Sequence, residues 1–312
     1  MWVLRNGNGG TAYLAASEDR AGLPRTPPSP QARTAVQHHI CVTCGTQFAA
    51  SESPPAACPV CEDERQHVPP GGQRWTTLDA LRRTHRNVIQ RIEPDLYGIG
   101  TEPRFAIGQR ALLVRTSGGN VLWDCIALLD DSTEDVVRAL GGLRAVAISH
   151  PHYYTTMVEW ARAFGCPVYL HAADREWVMR PDAALRFWEG GTRGLDEVGA
   201  EGLTLVRCGG HFEGGTVLHW ARGAEGRGAL LTGDVVQVVQ DRRWVSFMRS
   251  SPNLIPLDAA GVTRIVAATE PFEYDRVYGA WWDLHVAHDA RAAVARSAAR
   301  YVAAIAGPPA PG

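Results

Sequence analysis

The stretch "AISHPHYYTTM", residues 147–157, closes an apolar run with two histidines spaced two apart, then supplies neither a carboxylate nor a third histidine. Side chains alternate faces along a strand, so His150 and His152 fall on one side just beyond "AVAIS", where a strand end can present both rings to one ion. A single such pair among 11 histidines arises readily by chance. Two further segments change its weight. "LTLVRCGGHFEGG" (203–215) sets His211 after a second apolar run, with glycines on both sides that allow close backbone approach, and "GALLTGD" (228–234) sets Asp234 after a third. Three expected strand ends, each followed by a ligand-type residue, form a constellation rather than a coincidence.

The surrounding chain fits the same scheme. "ALLVRT", "NVLWDC", "AVAIS", "PVYLH", "LTLVRC", "TVLHW", "ALLTG" and "RIVAAT" are short apolar runs bounded by turn residues, which predicts strands of sheets covered on at least one face. "STEDVVRAL" opens with a Ser-x-x-Asp capping signature, "TTMVEWARAF" reads as an amphipathic helix, and Val294, Ala298, Tyr301, Val302 and Ile305 line one face of a late helix stopped by Gly307 and Pro308. Strands alternate with helices, so the fold class is α/β.

Upstream, "CVTCGTQFAASESPPAACPVC" (41–61) pairs Cys41 with Cys44 and Cys58 with Cys61, each pair two residues apart. Each pair can form a knuckle whose backbone amides point at the sulfurs, and two knuckles give a tetrahedral four-thiolate site. Such a site suits zinc or a single iron equally. The wording "CG…CPVC" resembles rubredoxin-like knuckle modules and zinc ribbons, and a structural zinc ribbon docked on a larger domain is the favoured reading. Between Cys41 and His67 stand Glu52, Glu62, Asp63 and Glu64 against Arg65 alone, which argues against a nucleic-acid-binding ribbon. His38 and His39 adjoin Cys41 but are not needed beside four thiolates. Cys125, Cys166 and Cys208 read as small buried apolar residues.

These features divide the chain into an expected disordered extension (1–34), a four-cysteine module (35–69), a linker (70–94) marked by "PPGG", a catalytic-type domain (95–307) and a tail (308–312). All 31 basic residues among the 312 are arginine. Without lysine, neither a P-loop nor a pyridoxal Schiff base can form. The 33 acidic residues nearly balance the arginines, so no overall field draws the chain to nucleic acid or an anionic membrane. The sequence shows no signal-peptide-length or membrane-length apolar run, which predicts a cytoplasmic protein with no membrane partner; the oligomeric state is not written in it.

The joint pattern resembles the metallo-β-lactamase-fold superfamily, over residues 95–305. Asp124 in "NVLWDC" matches the family's strand-closing aspartate, His150 and His152 the first half of its H-x-H-x-D-H motif, His211 its third motif and Asp234 its fourth. The resemblance implies an αββα sandwich with metals held by loops at one edge of two sheets. Where the family places the Asp-His pair of its second metal, this chain has Tyr154 and Thr155. The late histidine is also missing: "RIVAATEPFEY" offers Glu270 and Glu273, and His285 and His288 follow on an expected helix. One zinc is therefore expected, held by His150, His152 and His211, with Asp234 as fourth ligand or partner of bound water. The resemblance implies a hydrolase in which metal-activated hydroxide attacks an ester, thioester or similar bond of a small molecule. Asp234 would orient the attack, and Tyr153 or Tyr154 would donate a hydrogen bond to the developing oxyanion. Trp160, Trp177, Trp188 and His171 are candidate pocket-wall residues, and "YGAWWD" a candidate interface. Two alternatives stand beside the hydrolase: a redox protein with iron in the cysteine site, as in flavodiiron enzymes, and a non-catalytic metal-binding scaffold.

Overall fold

The computed structural model describes residues 36–307; the extension 1–34, residue 35 and the tail 308–312 lie outside the described residues. Two sheets face each other. The first runs in the order Arg86–Glu93, Leu96–Glu102, Arg110–Val114, Val121–Trp123, Ala145–Ala147, Val168–His171 and Leu185–Trp188, antiparallel through the first four strands and parallel thereafter. The second runs Thr192–Gly194, Leu203–Arg207, Thr216–Trp220, Ala229–Gly233, Arg276–Gly279 and His285–Val286, antiparallel except where Ala229–Gly233 pairs in parallel with Arg276–Gly279.

Period-two alternation separates three apolar layers. Leu112, Val114, Val121, Trp123, Leu205, Leu218 and Leu231 point between the sheets. Their neighbours Leu113, Leu122 and Val146 point outward beneath the helices Asp131–Ala139 and Met157–Phe164. On the far side Val206, Val217 and Leu230 meet Val262 and Ile265 of helix Ala259–Thr269 and Ala293 and Val294 of helix Ala290–Ala306. The αββα sandwich follows directly: the central strands are apolar on both faces because both faces are covered.

Local signals set the helix ends. Asp130, two residues before the expected capping Ser132, accepts from the amide of Thr133 at 2.8 Å and starts the first of these helices. Gly165, in the left-handed region, stops the second. "RIVAAT" corrects the expectation of a strand: it lies inside helix Ala259–Thr269, whose N-terminus is capped by Asp258 accepting from Gly261 at 2.7 Å. A short apolar run has no period of its own, and the buried positions Val262, Ile265 and Thr269 carry the helical spacing. The strand of this region is "RVYG", Arg276–Gly279. His285 falls in a strand and His288 before the last helix rather than on a helix, and Ile305 of that helix is exposed.

Residues 70–94 are also more than a linker. They carry helix Leu78–Thr84, capped by Thr77, and the strand Arg86–Glu93 that opens the first sheet by pairing with Leu96–Glu102. The residues from Val36 onward, cysteine module included, form one compact unit. Backbone bonds seat the module: Gln47 donates to the carbonyl of Thr155 at 3.2 Å and Ala49 to that of Met179 at 3.0 Å.

Candidate metal centres

In the module, Cys41 and Cys61 place their sulfurs 3.6 Å apart, as do Cys44 and Cys58, and all four cysteines are buried and free. The separation is far too long for a disulfide. It is close to the edge of a tetrahedron with metal–sulfur bonds of about 2.3 Å, which is about 3.8 Å. Hydrogen bonds within the cluster pull its thiols apart: those from Cys44, Cys58 and Cys61 hold Cys41 well below the usual thiol range, while those to Cys41 push Cys44 and Cys61 up. A cation resolves that conflict, so the donor set fits a four-coordinate ion. The other three cysteines are ordinary core residues: burial pushes Cys125 and Cys208 up to about 12 and Cys166 to about 11, far from a reactive thiolate.

The second cluster gathers His150, His152, His211 and Asp234, each buried, each offering one donor atom within 4.8 Å of the others. His150 and His152 follow strand Ala145–Ala147 of the first sheet, whereas His211 and Asp234 follow Leu203–Arg207 and Ala229–Gly233 of the second. His150 Nε2 lies 3.1 Å and His211 Nε2 3.7 Å from Asp234 Oδ1. His150 Nε2, His152 Nε2 and Asp234 Oδ1 have no hydrogen-bond partner although buried. Buried polar atoms are costly to leave unpaired, and three aimed at one another fit a cation. Burial first, then the neighbouring imidazoles, hold His150 well below its ordinary range; burial and Arg65 hold His152 down to about 3. His211 is likewise low, through burial, His152 and Arg65. Neutral imidazoles have a lone pair to give. Burial pushes Asp234 up to about 7, a cost that a cation at its oxygen would remove.

A hydrogen-bond chain orients His150. Asp124 Oδ1 accepts from the Ser149 amide at 2.8 Å and from the Ser149 hydroxyl at 2.7 Å, and Ser149 Oγ lies 2.9 Å from His150 Nδ1. The hydroxyl has one proton and gives it to Asp124, so its oxygen accepts from Nδ1–H. That assigns the tautomer with a bare Nε2. Gly233 makes room for this chain: at φ +54°, a Cβ there would lie 2.7 Å from Ser149 Oγ and 3.0 Å from Asp124 Oδ2.

Tyr154 does not stand beside the histidine cluster. It is buried in the core under the first sheet, with its hydroxyl held far above the phenol range by burial and by Asp174, and it does not line the cavity. The short 3-10 turn Pro151–Tyr153 carries the histidines outward and returns Tyr154 to the core. Tyr153 is the closer tyrosine: its ring packs 4.6 Å from His150, and its hydroxyl, buried and unpartnered, feels both Asp234 and Asp124. Thr155 meets the module, where a Cβ on Gly45 (φ +83°) would come within 3.3 Å of Thr155 Cγ2. The knuckle turn thus abuts the position of the family's second-metal histidine.

The module also reaches the cluster. Arg65 Nη1 donates to the His211 carbonyl at 2.8 Å, its guanidinium lies over the rings of Phe212 (3.9 Å) and Trp177 (5.0 Å), and Asp63 holds its other edge. His152, His211 and Asp234 line a cavity of about 460 Å³ whose other walls include Arg65, His67 and Trp281. None of these three was marked for the site by spacing, although Trp281 follows the strand Arg276–Gly279, where the family's late histidine would stand. Trp160 and Trp188 are core residues, Trp282 packs on Gly98 and Gly100, and His171 and His219 bond backbone carbonyls of Gly190 and Glu273. His38 bonds the Phe48 carbonyl, and Glu273 pairs with Arg291 at the surface.

With two facing mixed sheets, helices outside and candidate ligands from both sheets at one rim, the chain is a metallo-β-lactamase-fold protein. The family model of the metallo-beta-lactamase superfamily matches residues 106–281, and the chain belongs to that superfamily. Among its relatives is the uncharacterized protein YmaE of Bacillus subtilis (strain 168), 50% identical over 270 residues that span 86% of this chain and 97% of YmaE. Solved structures with the same fold include the DIM-1 metallo-beta-lactamase, at TM-score 0.53 and 14% identity over 71% of this chain and 99% of that one. The FIM-1 metallo-beta-lactamase of Pseudomonas aeruginosa in its mono-zinc form aligns at TM-score 0.51 and 14% identity, over 69% and 96% of the two chains. At such identities the likeness is one of fold.

Proposed function

We propose that the chain is a zinc-dependent hydrolase with one ion in the histidine cluster and a second, structural zinc in the four-cysteine module. The observation that supports it best is the convergence of three buried, unpartnered donor atoms, His150 Nε2, His152 Nε2 and Asp234 Oδ1, beside a cavity sized for a small molecule that His152 and Asp234 line. His150, His152, His211 and Asp234 would hold the ion. When bound, zinc lowers the pKa of a water towards about 7 and so supplies a nucleophile near neutral pH. The protein's own groups do the rest. Asp124 and Ser149 fix the His150 tautomer, Arg65 fixes the His211 backbone, and Asp234 keeps a second oxygen that can take a proton from the attacking water. Trp281 walls the cavity, and Phe212 and Trp177 pack against the Arg65 guanidinium beside it. The bond attacked is an ester, thioester or similar acyl bond in our reading.

No helix among the described residues is long and apolar enough to cross a membrane. Seven free cysteines fit the reducing cytoplasm, where we place the protein. The test is an element-resolved metal count on protein purified without added metal or chelator. Two zincs per chain, falling to one in His150→Ala or Asp234→Ala with folding retained, is the expected result. A count unchanged by both substitutions would sink the histidine centre, and iron in the cysteine site would turn the module's role towards electron transfer.

A further inference from the structure

The cavity over the histidine cluster has an unusual charge. Four guanidinium groups line it, from Arg65, Arg74, Arg104 and Arg249, and the one carboxylate in its wall, Asp234, is turned to the imidazoles. The chain as a whole has a formal charge of −2, so this concentration is local. Two of the four are already engaged: Arg65 with Asp63, and Arg249 with Glu64.

Arg74 and Arg104 differ. Neither forms an ion pair with a carboxylate among the described residues, while surface arginines such as Arg138, Arg193, Arg207 and Arg227 do. Their backbones are fixed on separate walls. The Arg74 carbonyl accepts from Val42 at 3.0 Å in the first cysteine knuckle. Arg104 lies in the turn between strands Leu96–Glu102 and Arg110–Val114, and its Nη2 donates to the Ile107 carbonyl at 2.6 Å, leaving other donors of its fork free. Two guanidinium groups with spare planar donors, on a concave wall that focuses their field, match the oxygens of a phosphate or carboxylate.

We infer that the substrate is a small anionic molecule whose oxyanion, phosphate or carboxylate, is held by Arg74 and Arg104 while its scissile bond lies over the histidine cluster. The inference rests on the hydrolase reading for the position of the scissile bond, but the anion site stands on the arginines alone. Arg74 lies just past the cysteine module and is held to it by the Val42 amide, so the module helps to position the anion site as well as the wall.

The test is calorimetric titration of the zinc-loaded full chain with inorganic phosphate and, separately, with succinate. Wild type is compared with R74A/R104A and with R83A/R222A, which removes two exposed arginines away from the cavity. Expected is a loss of about tenfold or more in affinity for at least one probe in R74A/R104A, with no change in R83A/R222A and zinc content constant. Loss for phosphate alone assigns a phosphorylated substrate, loss for succinate alone a carboxylated one, and both results support the inference. Equal affinity in wild type and R74A/R104A, or no binding of either probe to wild type at millimolar concentration, overturns it. A failure of the zinc count would instead strike the hydrolase reading, and the two outcomes are read from different measurements.

Discussion

Arg65 Nη1 donates to the main-chain carbonyl of His211 at 2.8 Å, which ties a residue four positions after the last knuckle cysteine to a ligand of the histidine cluster. Asn253 strengthens the tie by donating to the carbonyls of Glu64 and Gln66, both at 2.9 Å. Loss of the cysteine-bound ion should therefore spread. In C41S/C58S we expect one zinc fewer, a melting temperature lower by more than about 5 °C, and weaker zinc retention at the histidine site. Calorimetry and a chelator competition check this. An unaltered histidine-site affinity would show that Arg65 does not transmit the change.

Ser149→Ala tests the chain from Asp124 to His150. The alanine leaves His150 Nδ1 without its acceptor and Asp124 Oδ1 without one of its donors. Zinc affinity at the histidine site should fall about 10- to 100-fold, with the stoichiometry still two at saturating zinc. Chelator competition reads the affinity.

Restoring the family's second-metal residues should fail. Y154D/T155H would bury a carboxylate in the core beneath the first sheet and force an imidazole against Gly45 of the knuckle. Overpacking and an unpaired buried acid predict a loss of roughly 1–3 kcal/mol or more and no third zinc. Metal counting and urea denaturation decide the matter; a stable variant with three ions would refute the packing argument.

Asp174 gives a pH signature. Burial pushes it up to about 6, although the Gly214 amide donates to it at 2.8 Å and Arg65 also opposes the shift. The unfolded chain releases this proton first, near pH 3.9. Its stabilising effect is therefore full below the unfolded value and is lost as pH rises through about 6. The difference in urea midpoint between wild type and Asp174→Asn should change across that window and level off above it. A pH-independent difference would mean that Asp174 is ionised throughout.

Much of this centre was legible in the sequence because it sits where strands stop. His150, His152, His211 and Asp234 each follow an apolar run of strand type, and Cys41, Cys44, Cys58 and Cys61 keep a spacing that geometry alone requires. The apolar runs by themselves pointed to strands covered on at least one face and an α/β class, while the αββα sandwich was implied by the resemblance to the family. What escaped is what depends on contacts distant in sequence. Arg65 joins the cluster across 146 positions, and nothing local distinguishes it from an ordinary surface arginine. Tyr154 took its core position from a three-residue turn, Pro151–Tyr153, too short to carry a period. "RIVAAT" was ambiguous by length, and Asp258 with Gly261 was the overlooked signal for its helix. The strand Arg86–Glu93, with exposed Arg86, Gln90 and Arg91, is an edge strand and lacks the apolar density by which the central strands announce themselves.

The four donors of the histidine cluster come in equal shares from the two sheets, His150 and His152 from one, His211 and Asp234 from the other. An ion held there is a rivet through the rim of the sandwich. Any sliding of one sheet over the other alters all four bonds together, so the rim cannot open a little at a time. Mechanical alignment of the layers and readiness of the site for chemistry are then one variable, set by a single atom.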